Sequence, residues 1–123
     1  MKKILIVDDA VTVRMYHRKL VESLGYEVDE AENGIEALEK GLSEKFDLFL
    51  VDVNMPKMDG YRLIEEMRQN ESLIDIPAIM ISTEEEENDK TKAYMSGANF
   101  YIVKPAKPEE LKEYVSLMVG EDV

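Results

Sequence analysis

A chain of 123 residues is the length of one domain, and a domain of this size buries roughly two-thirds of the surface its unfolded form exposes. Its 27 acidic and 15 basic residues give a formal charge of −12, which repels phosphate backbones and anionic lipid and argues against nucleic-acid or membrane partners. With no cysteine, disulfides, thiolate chemistry and Cys-ligated zinc are excluded, in keeping with a reducing compartment.

Only four apolar residues follow Met1-Lys2-Lys3 before Asp8, too few for a signal peptide or a membrane span. A cytoplasmic location is expected. Ile4 to Val7 predict a strand over 3–8, and a helix from Thr12 to Leu24 follows, closed by Gly25 as a left-handed cap. A strand over 26–31 comes next, and Asn33-Gly34 opens a helix to Glu44. The run Phe46 to Val51 predicts a strand over 46–52, and Asp59-Gly60 leads into a helix to Gln69. Pro77 precedes a strand over 78–82, a charged helix occupies 84–96 up to Gly97, and a strand spans 99–103. Pro108 stands in the first turn of a last helix to Val119, where proline is tolerated.

Alternation of strand and helix from end to end is the pattern of βα units on a parallel sheet. Right-handed crossovers then place helices on both faces, giving a three-layer α/β sandwich over residues 1–123. The first and third strands, the most apolar, are expected side by side at the centre.

Runs this apolar read as strands buried on both faces. Their ends emerge together at the carboxyl edge of the sheet, where open α/β sheets bind ligands. Asp8-Asp9, Asp52, Ser82 and Lys104-Pro105 all fall at such ends. Taken singly, each acidic residue reads as well as a solvated turn former or helix cap; jointly they point to one pocket. Clustered carboxylates repel unless a cation sits among them. Oxygen donors without His or Cys suit magnesium or manganese rather than zinc or copper, and magnesium's preference for carboxylates plus phosphate points to phosphate chemistry. An aspartate can itself be the nucleophile, forming an aspartyl phosphate whose charge the metal neutralises.

These residues carry a resemblance to the receiver domain of response regulators, in particular to the stand-alone CheY-like chemotaxis type. It rests on Asp8-Asp9, on Asp52 through Gly60, on Pro77 through Ser82, and on Gly97-Ala98 followed by Tyr101 through Pro105. The resemblance implies a flavodoxin-like, doubly wound five-stranded parallel sheet of order 2-1-3-4-5. It implies that Asp52 accepts a phosphoryl group from a histidine kinase, a phosphotransfer protein or acetyl phosphate. Asp8, Asp9, Asp52 and the backbone carbonyl of Asn54 would hold Mg²⁺, with Mn²⁺ as a substitute. Lys104 would bind the phosphoryl group, Ser82 would bond to it and shift, and Tyr101 would turn inward behind Ser82. Asn54 and Glu84 would flank the path of attacking water and, with Thr83, tune the lifetime. The peptide before Pro105 would be cis. A downstream protein target would bind the face formed by the fourth helix, fifth strand and fifth helix of a monomer.

Other readings stand beside these roles. Asn54 also reads as a turn residue, Glu84 as a helix-start carboxylate, and Tyr101 as a half-buried strand aromatic. Thr83 with Glu86 reads as a capping box for the fourth helix, and Glu84 to Glu87 as its solvated first turn. His17 falls at helical spacing with Val13, Leu20, Val21 and Leu24 and is expected hydrogen-bonded and half-buried. Val13 and Tyr16 divide evenly between kinase docking and packing. Ala106 replaces the aromatic that commonly follows the Lys-Pro pair.

Function classes separate on single residues. A phosphorylation-dependent binding switch leads, in chemotaxis or as a phosphorelay intermediate passing phosphate to a histidine phosphotransfer protein. A haloacid-dehalogenase-type phosphatase needs a second aspartate two residues past the nucleophile, where this chain has Asn54 and Ala10. A flavin carrier needs a hydroxyl- and glycine-rich loop after the first strand, where Asp8-Asp9-Ala10-Val11 would repel phosphate. A degenerate, scaffold-only receiver is opposed by the intact acidic set.

Overall fold

The computed structural model describes residues 2–84 and 86–120. Ten elements alternate along the chain: β1 (Lys3–Val7), α1 (Val11–Glu22), β2 (Glu27–Ala31), α2 (Gly34–Ser43), β3 (Leu48–Asp52), α3 (Gly60–Arg68), β4 (Ala78–Ser82), α4 (Glu87–Ser96), β5 (Phe100–Val103) and α5 (Pro108–Val119). The strands form one parallel sheet in the order β2-β1-β3-β4-β5, as expected of the flavodoxin-like α/β arrangement.

Strand side chains alternate between faces, and here the alternation splits the core in two. Leu5, Val7, Phe49, Val51, Ala78 and Met80 face one way and pack with Ala37, Leu63, Ile64, Met67 and Ala93, residues of α2, α3 and α4. Ile4, Ile6, Leu48, Leu50, Ile79, Ile81 and Ile102 face the other way, against Val21 of α1 and Leu111 and Val115 of α5. β3 and β4 are buried along their whole length.

Several boundaries differ from expectation. α1 ends at Glu22, and Ser23-Leu24 make a turn before Gly25, whose φ of 91° is left-handed. β3 starts at Leu48 because Phe46 and Asp47 serve as its anchor: Asp47 accepts from the Lys3 amide at 2.9 Å and its own amide donates to Lys3 O at 2.7 Å.

The largest departure is at α4, which begins at Glu87 with Glu86 as a cap that makes no side-chain bond. Thr83 and Glu86 therefore form no capping box, and Glu84 and Glu86 lie ahead of the helix rather than in its first turn; Glu85 lies outside the described residues. The cause is local. Lys104 N donates to Ser82 O at 2.7 Å, Glu84 N to Ser82 Oγ at 3.1 Å and Tyr101 Oη to Glu84 O at 2.6 Å. The Tyr101 bond engages the Glu84 carbonyl, which a helix starting there would need, and the other two hold residues 82 to 84 on the sheet edge. His17 is also more deeply placed than expected, at 3% exposure rather than half-buried.

Candidate metal and phosphoryl site

Sheet register brings the candidate residues together. Val7 pairs with Val51, Asp52 with Ile81, and Ser82 with Val103, so Asp8, Asp52, Ser82 and Lys104 leave neighbouring strands at the same edge. Each donor or acceptor of Asp8 is engaged. Its amide donates to Ala31 O at 3.1 Å, Oδ1 accepts from Ala10 N at 2.9 Å, Oδ2 from Lys104 Nζ at 2.8 Å, and its carbonyl from Arg14 Nη1 at 2.6 Å. Lys104 Nζ also donates to Asp52 Oδ1 at 2.9 Å, so one ammonium bridges two carboxylates. Asp8 and Asp52 are 2% and 8% exposed, whereas Asp9 faces solvent.

Burial pushes the Asp52 carboxyl above its ordinary range, and neighbouring Asp8 adds to the rise against the pull of Lys104. For Lys104, burial disfavours the charge, but hydrogen bonds to Asp8 and Asp52 outweigh it and hold the ammonium above its usual value. An oxygen from each of Asp8, Asp9 and Asp52 lies within 4.8 Å of the others. Three carboxylates, two of them buried and one open to solvent, are a hard-oxygen donor set that fits Mg²⁺.

The remaining candidates ring this centre. Asn54 is exposed at the start of the β3–α3 loop. Gly60 closes that loop: its amide donates to Val53 O at 2.8 Å, and a Cβ there would collide with the Asp52 carbonyl. Ser82 is fully buried, Thr83 and Glu84 are exposed, and the Lys104–Pro105 peptide is cis. Tyr101 is half-buried and packed against the core, with its hydroxyl on the Glu84 carbonyl at 2.6 Å. Val13, Tyr16, His17, Thr83, Lys104, Pro105 and Ala106 line a cavity of about 370 Å³ beside the site, together with Thr12. Tyr16 Oη donates to Ala106 O at 2.9 Å, pinning the loop after Lys104.

Arg14, which is 7% exposed, and its partner Glu30 are not among the residues expected from the sequence. The signal was present: Arg14 shares the helical spacing of His17 and Val21, the other buried residues of α1.

Fold and site together define a flavodoxin-like α/β protein with an acidic, lysine-bridged site at the carboxyl edge of its sheet. The chain belongs to the response regulator receiver domain family, whose model matches residues 4–116. It is 41% identical over 121 residues to chemotaxis protein CheY1 of Helicobacter pylori strain 26695, covering 96% of this chain and 97% of that protein. It is 39% identical over 109 residues to the transcriptional regulatory protein ResD of Bacillus subtilis, covering 89% of this chain but only 44% of ResD. The Vibrio cholerae chemotaxis protein CheY4 superposes with a TM-score of 0.90 at 34% identity, covering 96% of this chain and 98% of that one. The receiver domain of Pseudomonas aeruginosa sensor histidine kinase PA1611, solved with a magnesium ion coordinated in its active site cleft, superposes with a TM-score of 0.90 at 28% identity over 98% of both chains. This is a receiver domain of two-component signalling, a class of switch rather than of turnover enzyme. Among the described residues, no helix is long and apolar enough to cross a membrane.

Proposed function

We propose that this receiver takes a phosphoryl group on Asp52 from the phosphohistidine of a histidine kinase and signals through a partner protein in chemotaxis. The observation that carries the reading is Lys104 Nζ, 2.8 Å from Asp8 and 2.9 Å from Asp52, beside three carboxylates with the donor set for Mg²⁺. An Asp52 carboxylate oxygen attacks phosphorus, the phosphorus–nitrogen bond breaks, and the histidine nitrogen keeps the electron pair and takes a proton. Asp8, Asp9, Asp52 and the Asn54 carbonyl would hold Mg²⁺, which when bound would supply charge neutralisation on the transferring group. Lys104 gives the phosphoryl oxygens a charge-assisted donor and leaves its bridge to do so. Ser82 offers its hydroxyl from the next strand.

A phosphoryl group adds nearly two negative charges and three acceptor oxygens. Drawing Ser82 toward it loosens the Ser82–Glu84 bond and vacates space that the Tyr101 ring fills, so that Tyr101 reports the chemistry to the neighbouring face. The output face is α4-β5-α5, where Tyr94 of α4 stands 49% exposed. Asn54, Thr83 and Glu84 border the approach of water and set the lifetime. Similarity to CheY1 along nearly its whole length supports the chemotaxis assignment, and the reading has a monomer working in the cytoplasm.

Acetyl phosphate with Mg²⁺ is expected to add one phosphoryl group per chain by intact mass, and Asp52→Ala to remain unmodified. An unchanged wild-type mass, or label persisting in Asp52→Ala, overturns the assignment. Steady phosphate release from many monoesters would favour a phosphatase instead.

A further inference from the structure

Arg14 is a cation buried behind the acidic doublet, with no part in the phosphoryl chemistry just described. Its guanidinium is fully directed: Nη1 donates to the Asp8 backbone carbonyl at 2.6 Å, Nε to Glu30 Oε1 at 2.8 Å, and Nη2 pairs with Glu32 at 3.9 Å. Glu30 is shared in turn, accepting from Arg18 Nη1 on its other oxygen at 2.5 Å, and its carboxyl is held below the usual range by these two guanidiniums against the opposing effect of burial. The chain of contacts runs from α1 to the edge strand β2 and ends on the peptide that joins Asp8 to Asp9.

That peptide is the hinge of the doublet. The Asp8 carboxylate has its own restraints in Ala10 N and Lys104 Nζ, whereas Asp9 is exposed and its direction depends on the plane of the Asp8–Asp9 peptide. A bond of 2.6 Å from a buried guanidinium to the carbonyl of that peptide fixes the plane. We infer that Arg14, braced by Glu30, is a positioning residue that orients the Asp8–Asp9 peptide and so sets divalent-cation affinity. The inference rests on the reading of Asp8, Asp9 and Asp52 as the Mg²⁺ site. Removing a residue that orients metal ligands typically costs 10–100-fold in affinity.

The test is a calorimetric Mg²⁺ titration of wild type, Arg14→Gln, Arg14→Lys and Glu30→Gln, at a temperature where circular dichroism shows every variant folded. Arg14→Gln is expected to weaken Mg²⁺ about tenfold or more. Arg14→Lys, which keeps a cationic donor for the Asp8 carbonyl, recovers part of the loss, and Glu30→Gln falls between wild type and Arg14→Gln. Amide NMR of the metal-free proteins should show the Asp9 resonance displaced in Arg14→Gln. A folded Arg14→Gln that binds Mg²⁺ within twofold of wild type overturns the inference while leaving the metal site standing. Wild type indifferent to Mg²⁺ overturns both. If Arg14→Gln does not fold, Arg14→Lys and Glu30→Gln decide: unchanged affinity in both overturns the inference, and graded loss supports it.

Discussion

His17 sits 3% exposed in the α1 face, and burial lowers its pKa from 6.5 to about 4, with Asp8 pulling it up and Lys104 pressing it down. Between those two values the unfolded chain binds a proton at His17 that the folded chain refuses, so stability is intact above the window and falls as pH drops through it. A gap of this size corresponds to about 3 kcal/mol. His17→Gln should therefore flatten the stability-versus-pH profile by about 2–3 kcal/mol between pH 6.5 and pH 4, measured by urea unfolding at each pH. Identical slopes for the two proteins would show that His17 charges without cost. The same residues mark what was legible in sequence. Asp8, Asp9, Asp52, Ser82 and Lys104 were readable because strand ends on a parallel sheet must share an edge. The burial of Arg14 was signalled by its helical spacing with His17 and Val21, but no local pattern states its contact with Glu30 across α1 and β2.

At the scale of elements, β1, β3 and β5 declared themselves through short apolar runs ending on charged residues, and Asn33 and Asp59 through side chains that cap α2 and α3 by accepting from Glu36 N and Arg62 N at 2.9 Å. The start of α4 was not legible. A Thr-x-x-Glu pattern promised a capping box, but bonds from Tyr101 and Lys104, on and just after β5, engage the backbone ahead of it. Tertiary contacts outweighed a local motif worth about 1 kcal/mol. The helix is left with Glu86 as a cap in extended geometry, φ −77° and ψ 154°, whose side chain makes no capping bond. Glu86→Ser should add the missing acceptor and stabilise the protein by about 0.5–1 kcal/mol. Slower amide exchange in the first turn of α4 would report the gain. No change in exchange or unfolding midpoint would show that the backbone at residue 86 cannot present a cap. The α4 start adjoins the Glu84 carbonyl that holds Tyr101, so this variant also tests whether firming the helix start restrains the aromatic.

For the molecule as a whole, a formal charge of −12 makes two effects of cations overlap. Salt of any kind screens self-repulsion and steadies the folded chain. A cation bound at Asp8, Asp9 and Asp52 adds a further term, because only the folded chain assembles the three oxygens within 4.8 Å. That term amounts to about 2.7 kcal/mol at a free-cation concentration one hundred times Kd, or roughly 10 °C in Tm for a chain of this size. Thermal unfolding in MgCl₂ and in NaCl at equal ionic strength separates the two. The expected result is a Tm higher in MgCl₂ for wild type, and no difference between salts for Asp9→Asn or Asp52→Asn. The two variants should also melt higher than wild type without divalent cations, since each removes one of three mutually repelling carboxylates. Wild type melting at the same temperature in both salts would mean that the acidic edge gathers charge without gathering a metal.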